Sequence, residues 1–150
     1  MSLIDPHVAK VEESDIEDIM SIINYAFPYT SFTYDAIKEK IASKKFYLLK
    51  AHQNNILVGF LELEFFIEKD EARLNAIFIQ ENWRGQRFAD KLVDAALHEC
   101  RRRRIKRLFL LVKTDNDGAK GLYQKHEFVP EGLHNKEIDG SKVEVWAREI

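Results

Sequence analysis

A strand-like run that stops at a glycine-bearing turn and continues into a long amphipathic helix constrains this chain more than any other stretch. The run is 74–79, and the turn contains Gly85. The first N–H groups of a helix have no intrahelical acceptor, and the helix dipole adds partial positive charge there, which suits phosphate. Arg84 and Arg87 flank the turn and would add charge and donors. A plain strand-to-helix turn with two solvated arginines is the alternative, because one such turn is a weak signal.

The composition is that of a soluble globular domain. The chain has 150 residues, of which 45% are hydrophobic and 32% charged, and its net charge is −2. This length predicts a single domain, 1–150, that is large enough to bury a core. The small net charge gives the whole chain no attraction to nucleic acid or to anionic membranes.

The cysteine and histidine content and the lack of long apolar runs limit where this protein can be located and which chemistry it can carry out. The single cysteine, Cys100, excludes an internal disulfide and fits a reducing compartment. It falls on the apolar face of its helix, so we expect a core residue rather than an acyl carrier. No apolar run approaches the roughly 20 residues that span a bilayer, and the N-terminus lacks the regions of a signal peptide. The five histidines show no metal-ligand spacing. We therefore expect a cytoplasmic protein without membrane or metal, and leave its oligomeric state open.

Hydrophobic periodicity predicts eleven elements in the order β-α-α-β-β-β-α-β-α-β-β. Strands are expected at 7–11, 45–51, 56–67, 72–80 and 108–112, from 128, and at 142–147, and helices at 15–26, 34–43, from Gly85 to 101–104, and at 117–126. Ser14 with Glu17, Thr33, and Asp115 with Asn116 are the expected helix caps. The strands between 45 and 80 should form an antiparallel meander, and a helical crossover should precede 108–112. The fold class is therefore α+β, with a mixed, mostly antiparallel sheet flanked by helices.

Two blocks carry a resemblance to a known family. They are IFIQENWRGQRFA at 77–89 and NDGAKGLYQKHEF at 116–128. In content and separation the pair resembles the GCN5-related N-acetyltransferase (GNAT) family, and the element order fits that fold over nearly the whole chain. In that family the first block is a Gln/Arg-x-x-Gly-x-Gly/Ala loop that holds the pyrophosphate of acetyl-coenzyme A. The second carries an asparagine near the pantetheine arm and a tyrosine near the thioester sulfur.

The chain departs from the family pattern at three positions. Arg84 and Ala89 fill the first and last places of the loop pattern, but Arg87 stands at its middle glycine. Its side chain could crowd the phosphates or join them. Glu127 replaces a common glycine. Asn75 stands where many members carry a glutamate, which removes one common candidate for the base.

The resemblance implies an N-acetyltransferase that moves an acetyl group from acetyl-coenzyme A to a primary amine by direct attack in a ternary complex. The acceptor is a small-molecule amine or a protein amine. The coenzyme-binding residues that the resemblance implies are Ile77, Phe78, Ile79, Arg84, Gly85, Gln86, Arg87, Phe88, Ala89, Asn116, Ala119 and Tyr123.

Tyr123 is the expected general acid. Asn116, Ala119 and Tyr123 are spaced to lie on one helix face, where small Ala119 leaves room for a ligand chain. A tyrosine with a pKa near 10 is protonated at neutral pH and can donate to a departing thiolate. The alternative is a tyrosine packed on the core with its hydroxyl at the surface.

The general base is open between several candidates. The attacking amine must be neutral, and a lysine-type amine is only about 0.04% neutral at pH 7. Glu62 and Glu64 share one face of the strand beside 72–80, although a solvated polar face would show the same pattern. A base acting through water, or none, is also compatible with the sequence.

The aromatic link from Phe27 to Tyr34 is the candidate acceptor loop, because the family shapes its amine pocket with this region. It contributes Tyr29, Phe32 and Tyr34. Aromatic residues in a loop form local core as often as a binding site, so both interpretations stay open.

Two rival functions remain compatible with the sequence. Arg101–Arg107, RRRRIKR, could grip nucleic-acid phosphate, although a charged helix end before a buried strand has the same composition. A coenzyme-binding regulatory module with weak catalysis is the second rival, because of the departures at Asn75 and Arg87.

Overall fold

The computed structural model describes residues 7–28, 32–138 and 140–150. Their elements follow the predicted order. The strands are β1 (Val8–Lys10), β2 (Phe46–Gln53), β3 (Ile56–Phe66), β4 (Glu71–Ile79), β5 (Arg107–Lys113), β6 (Val129–Ile138) and β7 (Ser141–Glu149), and the helices are α1 (Ile16–Ala26), α2 (Tyr34–Ala42), α3 (Phe88–Arg102) and α4 (Asp117–Lys125). Among these residues no helix combines the length and the apolar content that a bilayer crossing requires.

The seven described strands form one sheet in the order β1-β2-β3-β4-β5-β7-β6. Five neighbouring pairs are antiparallel. β4 and β5 run parallel, with α3 as the crossover between them. The predicted mixed, mostly antiparallel sheet is confirmed, including the β2-β3-β4 meander.

Helices cover both faces of this sheet. α1 and α2 bury Ile16, Ile19 and Ile37 against Leu48 and Phe60 on one face. α3 and α4 pack into a separate core cluster with the other face. The predicted apolar stripe of α3 is confirmed, since the following side chains are all buried: Phe88, Leu92, Ala95, Ala96 and Cys100.

β4 and β5 separate partway along their length. They pair only from Glu71 opposite Arg107 to Leu74 opposite Leu110, although both strands continue beyond that point. A β-bulge in β4 lies where they part, because Asn75 is the extra residue between those that face Glu62 and Leu63 of β3. A bulge bends its strand and re-aims side chains. The result is a gap in the middle of the sheet.

The local signals at helix ends were predicted with mixed success. The capping box at Ser14 and Glu17 is wrong: the capping box instead joins Glu12 and Asp15 around a 3-10 turn, Glu13–Asp15, that precedes α1. The acidic pair that forms the box lies two residues before the predicted pair. The Thr33 cap is confirmed, because its Oγ1 accepts from the N–H of Ala36 at 3.1 Å.

Candidate active site

A cavity of about 700 Å³ lies between the end of β4 and the N-terminal ends of α3 and α4. We call it the donor cavity. Every residue of the predicted coenzyme set lines it except Gln86. Gln86 is exposed, and its side-chain amide donates to the carbonyl of Asn82 at 3.5 Å. The fold therefore brings together residues from two sequence blocks that are separated by α3 and β5.

The main chain of β4 presents alternate residues to the gap. The N–H of Gln80 donates to the carbonyl of Val58 in β3 at 2.8 Å. Backbone groups alternate in direction along an antiparallel strand, so Phe78 also bonds towards β3. Ile77 and Ile79 consequently direct their N–H and C=O groups towards the gap. Among the predicted coenzyme-binding residues 77–79, Phe78 can therefore contribute its side chain to the cavity but not its main chain.

The loop before α3 contains two residues in the left-handed region. Gly85 has φ +80° and Arg87 has φ +69°. The first turn of α3 closes where the N–H of Lys91 donates to the carbonyl of Arg87 at 3.1 Å. The N–H groups of Phe88 and Ala89 therefore precede the helical hydrogen-bond ladder, at the wall of the donor cavity. These N–H groups lie where the sequence predicts an anion site.

Arg84 is anchored beside this loop. Its Nε donates to the carbonyl of Ile79 at 2.9 Å, and its guanidinium lies 5.4 Å from the centre of the Phe78 ring. The ring and the carbonyl hold the charge at the edge of the donor cavity. The remaining guanidinium nitrogens can bind an anion there.

Gly85 is expected to be essential for coenzyme binding because of its backbone conformation. A Cβ at this position would meet nothing within 4 Å, so only the positive φ opposes a side chain. Gly85→Val should rearrange the loop and weaken coenzyme binding at least about tenfold, or about 1.4 kcal/mol. Titration of the folded variant with coenzyme A measures this. Gly132→Val is the matched control, since Gly132 also has positive φ and open space but lies outside the cavity. Equal affinity in Gly85→Val and wild type would contradict the placement.

Two substitutions of Arg87 separate the effect of its charge from the effect of its backbone strain. A non-glycine residue in the left-handed region costs about 1–2 kcal/mol. Arg87→Ala removes the charge and keeps most of the strain, whereas Arg87→Gly removes both. If Arg87 contacts phosphate, both variants should bind coenzyme about fivefold more weakly, roughly 1 kcal/mol, with a smaller loss at high salt. Thermal unfolding should show only Arg87→Gly stabilised. Tighter coenzyme binding by Arg87→Gly would identify Arg87 as an obstruction.

Asp90 fastens the first turn of α3 to the end of α4. Its carboxylate accepts from Lys125 at 3.0 Å and lies 2.8 Å from His126 Nε2. Burial alone would raise the pKa of Asp90, but the hydrogen bonds from His126 and Lys125 hold that pKa below its usual value near 3.8. The contact therefore stabilises the fold fully at pH values above the ordinary carboxyl pKa. This stabilisation is lost as the pH falls through the lowered pKa of the folded protein.

Tyr123 is buried in the wall between two cavities. Only 6% of it is exposed, and its ring packs on Phe128 at a centroid distance of 5.7 Å. Burial raises the pKa of Tyr123 to about 12, so the hydroxyl stays protonated and can donate a hydrogen bond throughout the neutral range. Asn116 lies just outside the helix as its N-cap, where Oδ1 accepts from the N–H of Ala119 at 3.1 Å. The predicted cap is confirmed, and that oxygen is therefore engaged within the protein.

A passage of about 360 Å³ runs through the gap between β4 and β5. It shares Tyr123, Asn116 and Ala119 with the donor cavity. It shares Asn75 and Ala76 with a third cavity on the α1 and α2 side of the sheet. The three spaces therefore adjoin one another across the sheet.

The third cavity, which we call the acceptor cavity, has a volume of about 450 Å³ and contains both predicted base candidates. Glu62 Oε1 accepts from Lys40 Nζ at 2.9 Å and Oε2 accepts from Asn75 Nδ2 at 2.7 Å. Glu64 Oε1 accepts from the same Asn75 nitrogen at 3.1 Å, and Lys45 Nζ lies 3.5 Å from its other oxygen. Glu62 is 7% exposed, so the alternative of a solvated face does not hold for it.

The aromatic link contributes to this cavity in part. Phe32 lines it, with Lys40 Nζ 4.6 Å from the centre of its ring. Tyr34 is the first residue of α2 and does not line the cavity, because the helix directs it to the surface. Tyr29 lies outside the described residues.

Arg73 and Lys40 are not among the predicted site residues, and Asn75 was considered only as a departure from the family pattern. All three line the acceptor cavity. A signal was available for two of them, because polar residues alternate along β4 opposite the glutamates of β3. The bulge that brings Asn75 between Glu62 and Glu64 has no such signal.

Three arginines of the segment Arg101–Arg107 bind other side chains of the protein. Arg103 Nε donates to Glu99 at 2.7 Å, and its guanidinium lies 4.0 Å from the centre of the Phe65 ring. Arg102 binds the same carboxylate. Arg107 Nη1 donates to Glu71 at 2.9 Å. Arg102, Arg103 and Arg107 are thus paired within the protein, whereas Arg101 and Arg104 are exposed.

Two other chemistries find no support among the residues that the structure describes. Cys100 is fully buried, and burial raises the pKa of its thiol to about 12, so it is a core residue as predicted and not a nucleophile. No three histidine, cysteine, aspartate or glutamate side chains within the described ranges gather as a metal site requires.

Comparisons with known proteins identify the class of protein to which this fold and these cavities belong. The model of the acetyltransferase (GNAT) family matches residues 15–128, and the chain belongs to that family. A Bacillus subtilis (strain 168) protein, provisionally named ribosomal protein bS18-alanine N-acetyltransferase, is 28% identical over 130 residues, which are 84% of this chain and 82% of that protein.

Two solved structures illustrate the structural likeness. Ard1 from Thermoplasma volcanium has a TM-score of 0.80 at 25% identity, over 95% of this chain and 96% of that one. A ribosomal-protein-alanine N-acetyltransferase from Brucella melitensis has a TM-score of 0.84 at 16% identity, over 95% and 99%, and shares the fold. The chain is therefore an acetyltransferase that acts on an amine, as its resemblance predicted. Neither rival function gains support from these comparisons.

Proposed function

We propose that this chain transfers the acetyl group of acetyl-coenzyme A to a primary amine by direct attack in a ternary complex. The observation that carries the proposal is that the donor cavity, the passage and the acceptor cavity adjoin one another at the gap between β4 and β5 and share lining residues there. Tyr123 lies at one end of the passage, and Asn75 lies at the other. Two substrates can therefore enter from opposite faces of the sheet and meet inside it.

The coenzyme would occupy the donor cavity. Its pyrophosphate would accept hydrogen bonds from the free N–H groups at the start of α3, with Arg84 and Arg87 adding positive charge. The pantetheine amides would pair with the main-chain groups of Ile77 and Ile79 that face the gap. This arrangement delivers the thioester to the passage beside Tyr123.

The reaction forms one bond and breaks one. The amine nitrogen attacks the thioester carbonyl, the new C–N bond forms, the C–S bond breaks, and the nitrogen loses a proton. Tyr123 is the predicted general acid, but a thiol with a pKa near 8.5 is a stronger acid than this buried tyrosine. Its role in the proposal therefore changes: the hydroxyl stabilises the departing sulfur by donating a hydrogen bond, and solvent supplies the final proton.

Glu62 is better placed than Glu64 to take the proton from the amine. Glu62 faces Ala76 across the strands, and Ala76 lines the passage. Glu64 faces Arg73, which does not line the passage. Each Glu62 oxygen accepts one hydrogen bond in the structure and retains a further lone pair for a substrate proton. The proton can pass directly or through one water.

The proposal also covers the extent and setting of the domain. We assign the whole chain, 1–150, to one acetyltransferase domain acting in the cytoplasm. The match of the family model over 15–128 and the single, buried cysteine support this assignment. The acceptor is a small molecule or a protein amine, and the Bacillus subtilis relative is named for an alanine of a ribosomal protein.

An acceptor screen tests the proposal. Purified protein is incubated with acetyl-coenzyme A and with amino acids, polyamines, amino sugars and peptides that have free N-termini, while thiol release is recorded. At least one amine should release thiol above the hydrolysis rate and appear as its acetyl derivative by mass. Coenzyme binding without turnover of any amine would favour the regulatory rival instead.

A further inference from the structure

Among the residues that the structure describes, two buried polar atoms at the acceptor cavity have no hydrogen-bond partner. They are Arg73 Nε, a donor, and Asn75 Oδ1, an acceptor. Both residues line the cavity, two positions apart on β4. Buried polar groups are rarely left unpaired in folded proteins, because their lost hydration is then uncompensated. A ligand that carries both an anionic acceptor group and an N–H donor would satisfy the two atoms together.

Both carboxylates inside the cavity are paired with a lysine, whereas Arg73 has no ion-pair partner among the described residues. Glu62 pairs with Lys40 at 2.9 Å, and Glu64 pairs with Lys45 at 3.5 Å. Within the described ranges, Arg73 has no carboxylate in ion-pair or hydrogen-bond contact, although Glu64 is its cross-strand neighbour. At the cavity mouth, exposed Lys136 and Glu137 carry opposite charges. An acceptor with several positive charges would find each inner carboxylate already paired, whereas an anionic group would find a free guanidinium.

Asn75 fixes where the amine would lie. Its Nδ2 donates to Glu62 and to Glu64, so its Oδ1 points away from both of them and can accept from an ammonium group. Asn75 also lines the passage through which the thioester would be reached. An amine held by Asn75 Oδ1 and Glu62 is therefore positioned for attack.

Arg73 lies two residues further from the passage than Asn75, on the side away from the donor cavity. A group bound to Arg73 would thus be the part of the acceptor remote from the thioester. The planar guanidinium binds carboxylates with two parallel hydrogen bonds, which matches this group best. Phe27, Phe32 and Phe60 supply apolar surface for the rest of the acceptor.

We propose that the acceptor is a small amine that also carries a carboxylate, as an amino acid does, with Arg73 binding the carboxylate while Asn75 and Glu62 hold the amine. This inference rests on the acetyltransferase function proposed above and adds the class of its acceptor.

Matched acceptors test it. The wild-type protein is given amino acids, the corresponding amino acid amides, peptides that begin with the same residues, and a linear polyamine, and kcat/KM is measured for each. The carboxylate should raise kcat/KM at least about tenfold over the amide. A peptide or the polyamine as the best acceptor, or equal rates for acid and amide, would overturn the inference. Release of no thiol with any amine would instead remove the proposed function itself.

Variants of Arg73 provide a second test of this inference. Arg73→Gln should abolish the preference for the acid over the amide, mainly through KM, and Arg73→Lys should restore part of it. Lys38→Gln, which removes an exposed cation paired with Glu13 outside the cavity, is the control and should keep the preference. An equal loss for acid and amide in Arg73→Gln would show that Arg73 is structural and overturn the assignment.

Discussion

Tyr123→Phe is expected to lower kcat at least about tenfold while leaving the Kd of the coenzyme unchanged. The substitution keeps the ring and its packing on Phe128 and removes only the hydroxyl. Hydrogen-bond donors to developing charge and acid–base groups typically contribute 10²–10⁴-fold, and water can replace part of that. A loss confined to kcat marks an interaction made in the transition state. Steady-state kinetics and coenzyme titration on the same sample measure both quantities.

Tyr47→Phe is the matched control for this experiment. Tyr47 is half-buried beside Arg103 and lines none of the three cavities. Its hydroxyl should therefore be dispensable for kcat. Full activity in Tyr123→Phe would leave Tyr123 as a packing residue and remove the hydrogen bond to sulfur from the mechanism.

Glu62→Gln is expected to lower kcat/KM about a hundredfold at neutral pH with an acceptor of lysine-like pKa. Such an amine is about 0.04% neutral at pH 7, a deficit of roughly 4.6 kcal/mol that a base must help to overcome. An α-amine near pKa 7.7 is roughly one-sixth neutral and should suffer a smaller loss. The difference between wild type and Glu62→Gln should narrow as the pH rises towards the pKa of the acceptor. A pH series of kcat/KM with both kinds of amine measures this.

Glu64→Gln separates proton transfer from general disturbance of the cavity. Both glutamates accept from Asn75 Nδ2, so each substitution perturbs the same network. Glu64→Gln should cost much less activity, because Glu64 lies further from the passage. Thermal unfolding of both variants checks that the loss of a partner for Lys40 has not unfolded Glu62→Gln. A larger loss in Glu64→Gln than in Glu62→Gln would transfer the role of base to Glu64.

Most of the fold could be predicted because burial imposes periodicity on the sequence. The apolar stripe of α3, the alternation in β7 and the apolar run of β5 each record a face that packs on the core. The donor cavity could also be predicted. Main-chain groups and a glycine turn form most of it, and a short sequence motif specifies that turn. The capping residues were harder to predict, because Glu12 and Ser14 both carry a side-chain oxygen that can cap a helix and they lie only two residues apart.

The acceptor cavity could be predicted only in part. Glu62 and Glu64 were candidates, but a buried network and a solvated face leave the same alternation in the sequence. The bulge at Asn75 depends on how β4 separates from β5, which is a property of the sheet and not of the local residues. Lys40 enters the cavity from α2 through long-range packing, for which the sequence carries no local signal.

The central claim is direct attack in a ternary complex, and its most direct test measures the stoichiometry of the products and the kinetic pattern with the two substrates. Purified protein is given acetyl-coenzyme A with an accepted amine while both concentrations are varied, and released thiol, acetylated amine and the mass of the protein are measured. Direct attack in a ternary complex predicts one thiol per acetylated amine, intersecting double-reciprocal lines and no acetylated protein when the amine is omitted. Parallel lines, together with an acetyl group on the protein in the absence of amine, would contradict it.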